Sequence, residues 1–523
     1  MRAHAALPGW RWFSWLAPHF LALRGNAKLS SSRLMQFLTH IRSHKKSRGG
    51  ARFSWIAGIW LLSLGIVAAA LGATTTLRPA PAHERTALDR YVAAPDTNFT
   101  FRLVRTARTP LGEVHLLEMT SQVYLTPREV DRPLWQHWIY VIMPKEIRGN
   151  TALLFLGGGN NRKDPPGSPN GTLTEIALAT RSVVAELRNV PNQPLIFHQD
   201  GQERREDDLI AYTWEQFLRT GEEHWPARLP MTKAAVRAMD AVTAFCGGLE
   251  AGGVKIENYF VAGASKRGWT TWTTAAVDAR VIGLAPIVID VLNMEVSMAH
   301  HYAAYGFWSP AVGDYVRHGI MDWMGTPEFK ALFQIEDPYA YRHRFTQPKL
   351  IVNASGDQFF LPDSSQFYFH ELPGPKYLRY VPNADHSLKG SDAWQTVQAF
   401  YEAVRLNKPL PRFDWTFPGD SAIQVRATDP PQAVTLWQAT NPEARDFRLA
   451  TFGPKWTSRP LSLDGDRCLA RVTMPPKGWT AFFVELTYAG PGEYPLKFTT
   501  AVRVVPDRTD HQFKPQRPPA AKR

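Results

Sequence analysis

The sequence predicts an α/β fold: a mostly parallel sheet covered by helices on both faces, with a helical cap insertion and a C-terminal all-β sandwich. Three observations lead to this prediction. From residue 151 to residue 405, short apolar runs alternate with stretches of helical periodicity, as in strand–helix–strand units. Residues 290–348 interrupt that alternation with a block rich in Trp, Tyr, His and Phe. Beyond residue 411 the helical periodicity stops, and short alternating runs separated by Pro and Gly indicate a β-sandwich.

The first predicted strands precede the parallel part of the sheet. The runs 99–106 and 114–126 alternate, with a Pro-Leu-Gly turn between them, and 137–143 is more continuously apolar. The run TALLFL at 151–156 has the composition of a buried parallel strand, and it opens into a loop of three glycines. An antiparallel hairpin beside a parallel sheet is a common mixed arrangement.

The alternation of strands and helices then continues to residue 405. Short apolar runs predict strands, and apolar positions at helical spacing predict helices. The predicted strands are 194–197, 258–262, 281–289, 349–354 and 377–381, and the predicted helices are 173–187, 208–220, 231–248, 266–277, 363–372 and 393–405. The strands predicted for the sandwich are 423–428, 434–439, 469–474, 479–488 and 496–505.

The net charge of +13 is unevenly distributed and does not indicate nucleic-acid binding. Residues 1–52 hold ten Lys or Arg and no acidic residue, whereas the part between residues 79 and 505 is close to neutral. The sequence has two cysteines, Cys246 and Cys468, and no metal-ligand spacing. Two isolated thiols are favoured, and one disulfide remains the alternative. We expect no metal site and no cofactor.

An uncharged run of 21 residues at 53–73 follows the basic leader 1–52. A spanning helix needs about 20 apolar residues and a signal-peptide core about 7–15, so both interpretations stay open. Four basic residues between positions 45 and 52 orient the N-terminus toward the cytoplasm. Either alternative sends the rest of the chain across a membrane, so we expect a periplasmic or cell-envelope protein, secreted or anchored by this segment. Because the leader is long, Met35 is an alternative start.

These patterns also predict the domain organisation. The predicted segments are a basic leader 1–52, a signal or anchor segment 53–73, a linker 74–94, an α/β domain 95–410 that contains the cap insertion 290–348, an immunoglobulin-like β-sandwich 411–505 and a disordered tail 506–523.

Residues 258–268, NYFVAGASKRG, place Ser265 between a predicted strand and a predicted helix. This is the context of a nucleophile elbow, the strained turn that exposes the catalytic serine of α/β-hydrolases. The turn needs small neighbours, which Gly263 and Gly268 supply. The usual spacing is G-x-S-x-G; here Arg267 occupies the position of the second glycine, which comes one residue later.

A serine nucleophile needs a histidine base, and the histidine needs an acid that holds its tautomer. In α/β-hydrolases the chain order is Ser, then Asp or Glu, then His. Asp357 and His386 each follow the carboxyl end of a predicted strand, in the required order after Ser265. Asp363 and Asp385 are rival acids. The side chain of Asp385 tends to diverge from the adjacent histidine, and Asp363 is expected to cap the following helix.

An acyl-transfer site also needs N–H donors for the developing oxyanion. The Lys266 amide at the start of the predicted helix is one candidate. The amides of Gly158 and Gly159 are the others, because their loop follows a neighbouring strand and lets the backbone approach the substrate. Asn160, directly after these glycines, is a candidate for substrate binding.

The aromatic block 290–348 is expected to lie over the carboxyl ends of the strands. Trp308 and Trp323 are its candidate substrate-binding residues, because large apolar faces with polar tips suit a binding wall. A packing layer without contact to substrate is the equally supported alternative.

Several blocks together resemble the PhoPQ-activated pathogenicity-related protein family. They are GASKRGWTTWTTAAVDARVIGLAPIVIDVLNM from Gly263, EDDLIAYTWEQFL from Glu206, LPMTKAAVRAMDAV from Leu229 and NASGDQFFLPDSSQFYF from Asn353. The likeness extends over about residues 91–505. The resemblance implies an α/β-hydrolase fold, with Ser265 and its partners at the matching positions, and a link to bacterial envelope responses and resistance to cationic antimicrobial peptides.

Two classes of function follow. The first is a cell-envelope serine hydrolase, an esterase or peptidase that works through an acyl-enzyme on a peptide or a small ester or amide. The second is a non-catalytic protein that binds a peptide or envelope component on a hydrolase scaffold. The Ser, Asp and His in the required order favour the first. The other expected partner is the membrane, through the N-terminal segment; no nucleic acid is expected.

Overall fold

The structure is a computed structural model that describes residues 85–161 and 167–516. The predicted leader 1–52 and the apolar segment 53–73 lie outside the described residues. In the two described ranges, no helix combines the length and the apolar character that crossing a bilayer requires.

The described chain consists of ten α-helices, seventeen strands and short 3-10 turns. The helices are α1 (Ala87–Ala93), α2 (Gly171–Thr180), α3 (Glu206–Thr220), α4 (Arg228–Gly247), α5 (Lys266–Val277), α6 (Met294–Tyr305), α7 (Gly313–Arg317), α8 (Pro327–Glu336), α9 (Ala393–Arg405) and α10 (Leu449–Phe452). The 3-10 turns are Leu249–Ala251, Pro310–Val312, Ile320–Trp323, Pro338–Arg344, Ser364–Phe367 and Phe369–Glu371.

The strands divide into those before and those after residue 410. The first group is β1 (Thr100–Thr109), β2 (Gly112–Val123), β3 (Leu134–Pro144), β4 (Thr151–Leu156), β5 (Val184–Leu187), β6 (Asn258–Ala264), β7 (Val281–Ile287), β8 (Lys349–Ala354) and β9 (Lys376–Val381). The second group is β10 (Phe413–Thr416), β11 (Ala422–Ala427), β12 (Ala433–Asn441), β13 (Thr457–Pro460), β14 (Arg467–Arg471), β15 (Trp479–Tyr488), β16 (Leu496–Thr499) and β17 (Arg503–Val505).

One mixed sheet has the strand order β1-β2-β3-β5-β4-β6-β7-β8-β9-β16-β15-β12-β13, with β17 paired to β15. The strands β1, β2 and β3 are antiparallel, whereas β5, β4, β6, β7, β8 and β9 are parallel to one another. The carboxyl ends of the parallel strands therefore share one edge, where their loops converge. The predicted α/β fold, with a parallel sheet as in α/β-hydrolases, is confirmed.

The burial of each strand follows from its place in the sheet. All four residues of β5 and all six of β8 are buried, as expected for parallel strands whose two faces are covered. In contrast, β1 at the outer edge alternates mainly between exposed and half-buried residues. Helix α5 is buried along its whole length and packs against β6, β7 and α4. The segment that begins at Ser265 is therefore held rigidly by the core.

Two predicted helices differ in the structure. The predicted helix 173–187 ends at Thr180, because Arg181 adopts a left-handed conformation (φ 51°) and terminates α2. The chain then forms β5, which enters the sheet between β3 and β4. Its four consecutive buried residues carry no alternation that distinguishes a strand from a helix. The predicted helix 363–372 is two short 3-10 turns. The predicted strand 194–197 makes two isolated bridges, from Leu195 to Arg204 and from Phe197 to Val130.

The strands after residue 410 pair in antiparallel fashion, and they do not stand apart from the central sheet. Thr499 of β16 pairs with Leu378 of β9, so β16, β15, β12 and β13 extend the large sheet. The strands β10, β11 and β14 form a separate three-stranded sheet. Without β16, strand β9 would be an open edge of the sheet with unpaired N–H and C=O groups. Pairing with β16 covers this edge. The described residues accordingly form one compact unit, and an immunoglobulin-like domain stays a prediction.

Residues 506–516, in the tail that the sequence predicts to be disordered, make contacts with the cap insertion. The His511 amide donates to the Ala303 carbonyl (3.2 Å), and the Phe513 ring lies 5.0 Å from Tyr302 and 4.9 Å from Trp308. The apolar ring of Phe513 therefore packs against aromatic residues of the cap insertion 290–348. Residues 517–523 lie outside the described residues.

Candidate active site

Ser265 lies in the sharp turn between β6 and α5. Its backbone angles are φ 58° and ψ −126°, a conformation that costs free energy for any residue other than glycine. The Ser265 amide donates to the Ile287 carbonyl of β7 (2.8 Å), and its carbonyl accepts from the Trp269 amide (3.0 Å). The side chain is half-buried. This is the strained strand-to-helix geometry of a nucleophile elbow.

The shifted glycine spacing of the elbow has a packing explanation. A Cβ atom at Gly263 would lie 2.7 Å from the Arg267 carbonyl oxygen. A Cβ atom at Gly268 would lie 2.9 Å from the carbonyl oxygens of both Gly263 and Ile287. The close approach of α5 to the ends of β6 and β7 thus requires glycine at 268, while position 267 accepts a side chain.

The side chain of Arg267 connects the elbow to two other segments through hydrogen bonds. Its guanidinium makes two hydrogen bonds to the Glu206 carboxylate (2.8 and 2.7 Å) and a third to the Val190 carbonyl. Burial would raise the pKa of Glu206, but the charges of Arg267 and Lys266 outweigh it and hold that pKa well below its usual range. This ion pair therefore fixes the start of α3 to the elbow.

Sequence reasoning missed the role of Glu206, because residues 204–208 have the pattern of a solvated charged face. The start of α3 is half-buried in the structure, and a charged side chain there needs an opposite charge within reach, which Arg267 supplies. The Lys266 ammonium next to it also contacts Glu206 (3.2 Å) and Asp207 (2.9 Å).

The structure brings Asp357 and His386 into contact. His386 Nδ1 lies 2.8 and 3.1 Å from the two Asp357 carboxylate oxygens, and the Phe359 amide donates to the same carboxylate (2.8 Å). Both side chains are almost fully buried. His386 Nε2 is also buried and has no hydrogen-bond partner among the described residues, so the hydrogen bond to Ser265 is not formed.

Two phenylalanines that sequence reasoning missed surround the imidazole. The rings of Phe359 and Phe360 lie 4.4 and 6.0 Å from the His386 ring. They follow Asp357 after one intervening residue, so one loop supplies the acid and part of the apolar surroundings of the base. Such surroundings strengthen the electrostatic contact between the carboxylate and the imidazole.

The rival carboxylates have other partners. Asp385 accepts hydrogen bonds from the amide (2.9 Å) and the hydroxyl (2.6 Å) of Ser387 on the exposed side of its loop. Asp363 is buried, and it contacts His300 (3.1 Å) and Arg445 (2.5 Å). Burial raises the pKa of Asp363, but Arg445 and His300 lower it far more. Of the three predicted acids, only Asp357 is hydrogen-bonded to the imidazole of His386.

The peptide carbonyls next to the candidate oxyanion donors of the glycine loop point toward the segment that continues β5. The carbonyls of Gly157 and Gly158 accept from the amides of Val190 (3.1 Å) and Asn189 (3.2 Å), in the segment that continues β5. A trans peptide points its C=O and N–H in opposite directions, so the amides of Gly158 and Gly159 face the β6 side of β4. Ser265 follows β6. The Lys266 amide is the first of α5 and has no partner within its helix.

The candidate substrate-binding residues have different surroundings. Asn160 is half-buried and directly follows the glycines. Trp308 is half-buried and packs 5.7 Å from the His301 ring and 4.9 Å from Phe513. Trp323 is 4% exposed, in a 3-10 turn within the hydrophobic core. Among the described residues, no three His, Cys, Asp or Glu side chains are arranged to hold a metal ion. Cys246 and Cys468 are free and buried.

The sequence model of the PhoPQ-activated pathogenicity-related protein family matches residues 88–448. The chain belongs to this family. The matched range includes the elbow, Asp357 and His386, as the resemblance implied.

This family member is also similar to autocrine proliferation repressor protein A of Dictyostelium discoideum. The two are 39% identical over 462 residues, which cover 81% of this chain and 91% of that protein. Among solved structures, acetyl xylan esterase 1 from Thermoanaerobacterium sp. is 14% identical with a TM-score of 0.41, covering 64% of this chain and 96% of the esterase. A glucuronoyl esterase from Solibacter usitatus is 13% identical with a TM-score of 0.37, covering 61% and 91%.

The different burial of the two cap tryptophans leads to a prediction. We expect Trp323→Ala to destabilise this family member by about 3–5 kcal/mol, because it removes a buried indole from the core. Trp308→Ala should leave stability nearly unchanged and raise KM for a small ester, since part of its ring is accessible. Urea unfolding and steady-state kinetics measure the two effects. Equal destabilisation with unchanged KM would assign both tryptophans to packing.

The carboxyl group of Asp290 is also buried, close to Asp357 and Asp363. It accepts hydrogen bonds from the hydroxyls of Tyr368 (2.6 Å) and Tyr380 (2.6 Å). Burial raises its pKa to about 7, against the two hydrogen bonds, which lower it. The folded chain therefore retains this proton at pH values where the unfolded chain has released it.

This difference predicts a pH-dependent stability. Between about pH 4 and pH 7 the unfolded state binds fewer protons at Asp290 than the folded state, so the free energy of unfolding falls as pH rises, by at most about 1.4 kcal/mol per pH unit. Asp290→Asn should remove the contribution of Asp290 to that slope, whereas the buried Asp337, whose pKa burial also raises to about 7, keeps its own contribution. Urea unfolding of both proteins from pH 4 to pH 8 measures the difference in slope, and parallel curves would show that Asp290 titrates normally.

Proposed function

We propose that the protein is a serine hydrolase that cleaves an ester or a peptide through an acyl-enzyme at Ser265. The observation that carries the proposal is the buried pair of Asp357 and His386. The Nε2 atom of His386 has no hydrogen-bond partner among the described residues, and the His386 loop lies at the same sheet edge as the elbow. A buried imidazole nitrogen without a partner is costly unless a hydroxyl or substrate completes it. Labelling with a fluorophosphonate, described in the Discussion, tests the proposal.

In the proposed reaction, the Ser265 oxygen attacks the carbonyl carbon while His386 Nε2 accepts the hydroxyl proton. Asp357 keeps Nδ1 protonated and stabilises the imidazolium that forms. The amides at the start of α5 and in the glycine loop hold the oxyanion. His386 then protonates the leaving oxygen or nitrogen, and water hydrolyses the acyl-enzyme by the same steps.

The proposed place of action is the cell envelope. Two observations support this location: the apolar segment 53–73 follows a basic leader, and the family is linked to envelope responses. We expect a reporter that is active only in the periplasm to be active when fused after Ala94. Deleting 53–73 should trap the fusion in the cytoplasm, whereas a start at Met35 should change nothing. An inactive full-length fusion would contradict this location.

A non-catalytic binding role is the second candidate. One observation favours it: the similar Dictyostelium discoideum protein is named as a proliferation repressor. In that case the scaffold would bind a peptide or an envelope component without covalent chemistry. Absence of any fluorophosphonate labelling of the folded wild type would favour this role over hydrolysis.

A further inference from the structure

The loop that carries Asp357 rests on a segment far along the chain. We name residues 445–456 the support loop; it contains α10. The Leu449 amide donates to the carbonyl of Gly356, the residue before the candidate acid (2.9 Å). The Gly356 amide in turn donates to the Ala384 carbonyl in the loop of His386 (2.9 Å). A Cβ atom at Gly356 would lie 2.9 Å from both the Leu449 nitrogen and the Ala384 oxygen, so three segments meet here.

The loop that carries His386 rests on the same support loop. The Asn383 side-chain amide donates to the Trp456 carbonyl (2.9 Å), and its oxygen accepts from the Trp456 amide (2.9 Å). Asn383 has a left-handed conformation (φ 54°), three residues before the histidine. Its own backbone amide donates to the Ser355 hydroxyl (3.1 Å), which joins the histidine loop to the aspartate loop.

Two arginines of the support loop contact other residues of the loop that carries Asp357, one of them directly and the other through a serine hydroxyl. Arg445 pairs with Asp363 (2.5 Å), and both side chains are buried. Arg448 donates to the Ser309 hydroxyl (3.3 Å), and that hydroxyl donates to the carbonyl of Gln358, the residue after Asp357 (2.6 Å). Both neighbours of the candidate acid in the chain are therefore tied, directly or through one hydroxyl, to the support loop.

The support loop is itself anchored in the large sheet. It connects β12 to β13, and these strands pair with each other and, through β15 and β16, with β9. Because β9 leads directly into the His386 loop, the support loop and the histidine share one rigid frame.

From these contacts we infer that the support loop positions Asp357 and His386 for proton transfer through its backbone and its two arginines, and that Asn383 is a positioning residue of the reaction. The inference rests on the proposed serine hydrolase function. Catalysis depends on the relative placement of base and nucleophile, and a displacement of about 1 Å can slow a reaction about 100-fold. The C-terminal strands are thus part of the catalytic framework.

The hydrogen bond from Leu449 is tested by a pair of variants. Leu449→Pro removes the donor, and the first position of a helix, which Leu449 occupies in α10, accepts proline. Leu449→Ala shortens the same side chain but keeps the donor. We expect the proline variant to react with a fluorophosphonate about 10-fold more slowly and the alanine variant at nearly the wild-type rate.

The contact from Asn383 is tested by a second pair. Asn383→Gly deletes both side-chain hydrogen bonds and tolerates the left-handed conformation. Asn407→Gly is the matched control, because Asn407 is exposed, has φ 49° and lies outside both loops. We expect the first variant to be labelled about 10–100-fold more slowly and the second at the wild-type rate.

Combining Asn383→Gly with Asp357→Asn distinguishes an effect on the placement of the acid and the base from a general distortion of the site. If Asn383 acts through the acid and the base, Asn383→Gly should slow labelling by less than about twofold when Asp357 is already asparagine. Wild-type labelling rates in Asn383→Gly and Leu449→Pro, or equal slowing in both backgrounds, would overturn the inference. If Asn383→Gly does not fold, the Leu449 pair decides alone. A wild type that is not labelled at all contradicts the proposed function instead.

Discussion

Ser265→Ala is expected to abolish covalent labelling by a fluorophosphonate and to reduce ester hydrolysis to background. The probe reacts with a serine whose hydroxyl proton is removed by a base, and Ser265 is the serine that the elbow presents at the sheet edge of the His386 loop. Loss of the nucleophile typically costs about 10⁶-fold in turnover in enzymes of this chemistry. Gel fluorescence after labelling, with mass spectrometry of the modified peptide, measures the effect.

The control for this experiment is Ser458→Ala, an exposed serine on β13. It should be labelled like the wild type. His386→Ala should also lose the label, because the serine then has no base. Labelling that persists in folded Ser265→Ala would show that another residue reacts and would remove the central assignment.

Asp357→Asn is expected to reduce turnover by about 10⁴-fold with little change in stability. The amide is nearly isosteric with the carboxylate, and the Phe359 amide can still donate to its oxygen. However, an amide cannot stabilise the imidazolium, and it favours the wrong tautomer of His386. Steady-state kinetics on a small ester, together with urea unfolding, separates the loss of activity from any loss of structure.

The two rival carboxylates serve as comparisons in that experiment. Asp385→Asn should leave turnover unchanged, because its partners lie on the exposed side of the loop. Asp363→Asn should reduce stability by about 3–5 kcal/mol, since it leaves the buried Arg445 without its counter-charge. A larger loss of turnover in Asp385→Asn than in Asp357→Asn would show that the wrong acid has been assigned.

Local patterns were sufficient to predict much of the candidate site. The strand before Ser265, the glycines around it and the helix after it are neighbours in the chain, so the elbow is visible in eleven residues of sequence. The order of Ser, Asp and His, each after an apolar run, predicts that all three lie at one edge of the sheet. Chain neighbours restrict one another sterically, and this is why short segments indicate their conformation.

Features that depend on distant partners were not predictable in this way. The segment of β5 has no alternation, and only its place between β3 and β4 makes it a strand. Glu206 looked solvated until the fold brought Arg267 against it. The tail through Gln516 looked disordered because its contacts are with the cap. In each case the stabilising partner is remote in sequence.

The sequence by itself therefore determined the family, the parallel sheet, the elbow and the identity of the three candidate catalytic residues, because these depend on local spacing and chain order. The tertiary structure alone decided which carboxylate meets His386, how Arg267 replaces a glycine, and that the C-terminal strands continue the sheet and reach both candidate catalytic loops. Those outcomes depend on which buried groups find partners, and a buried charge or amide is satisfied only by whatever the packed chain places beside it.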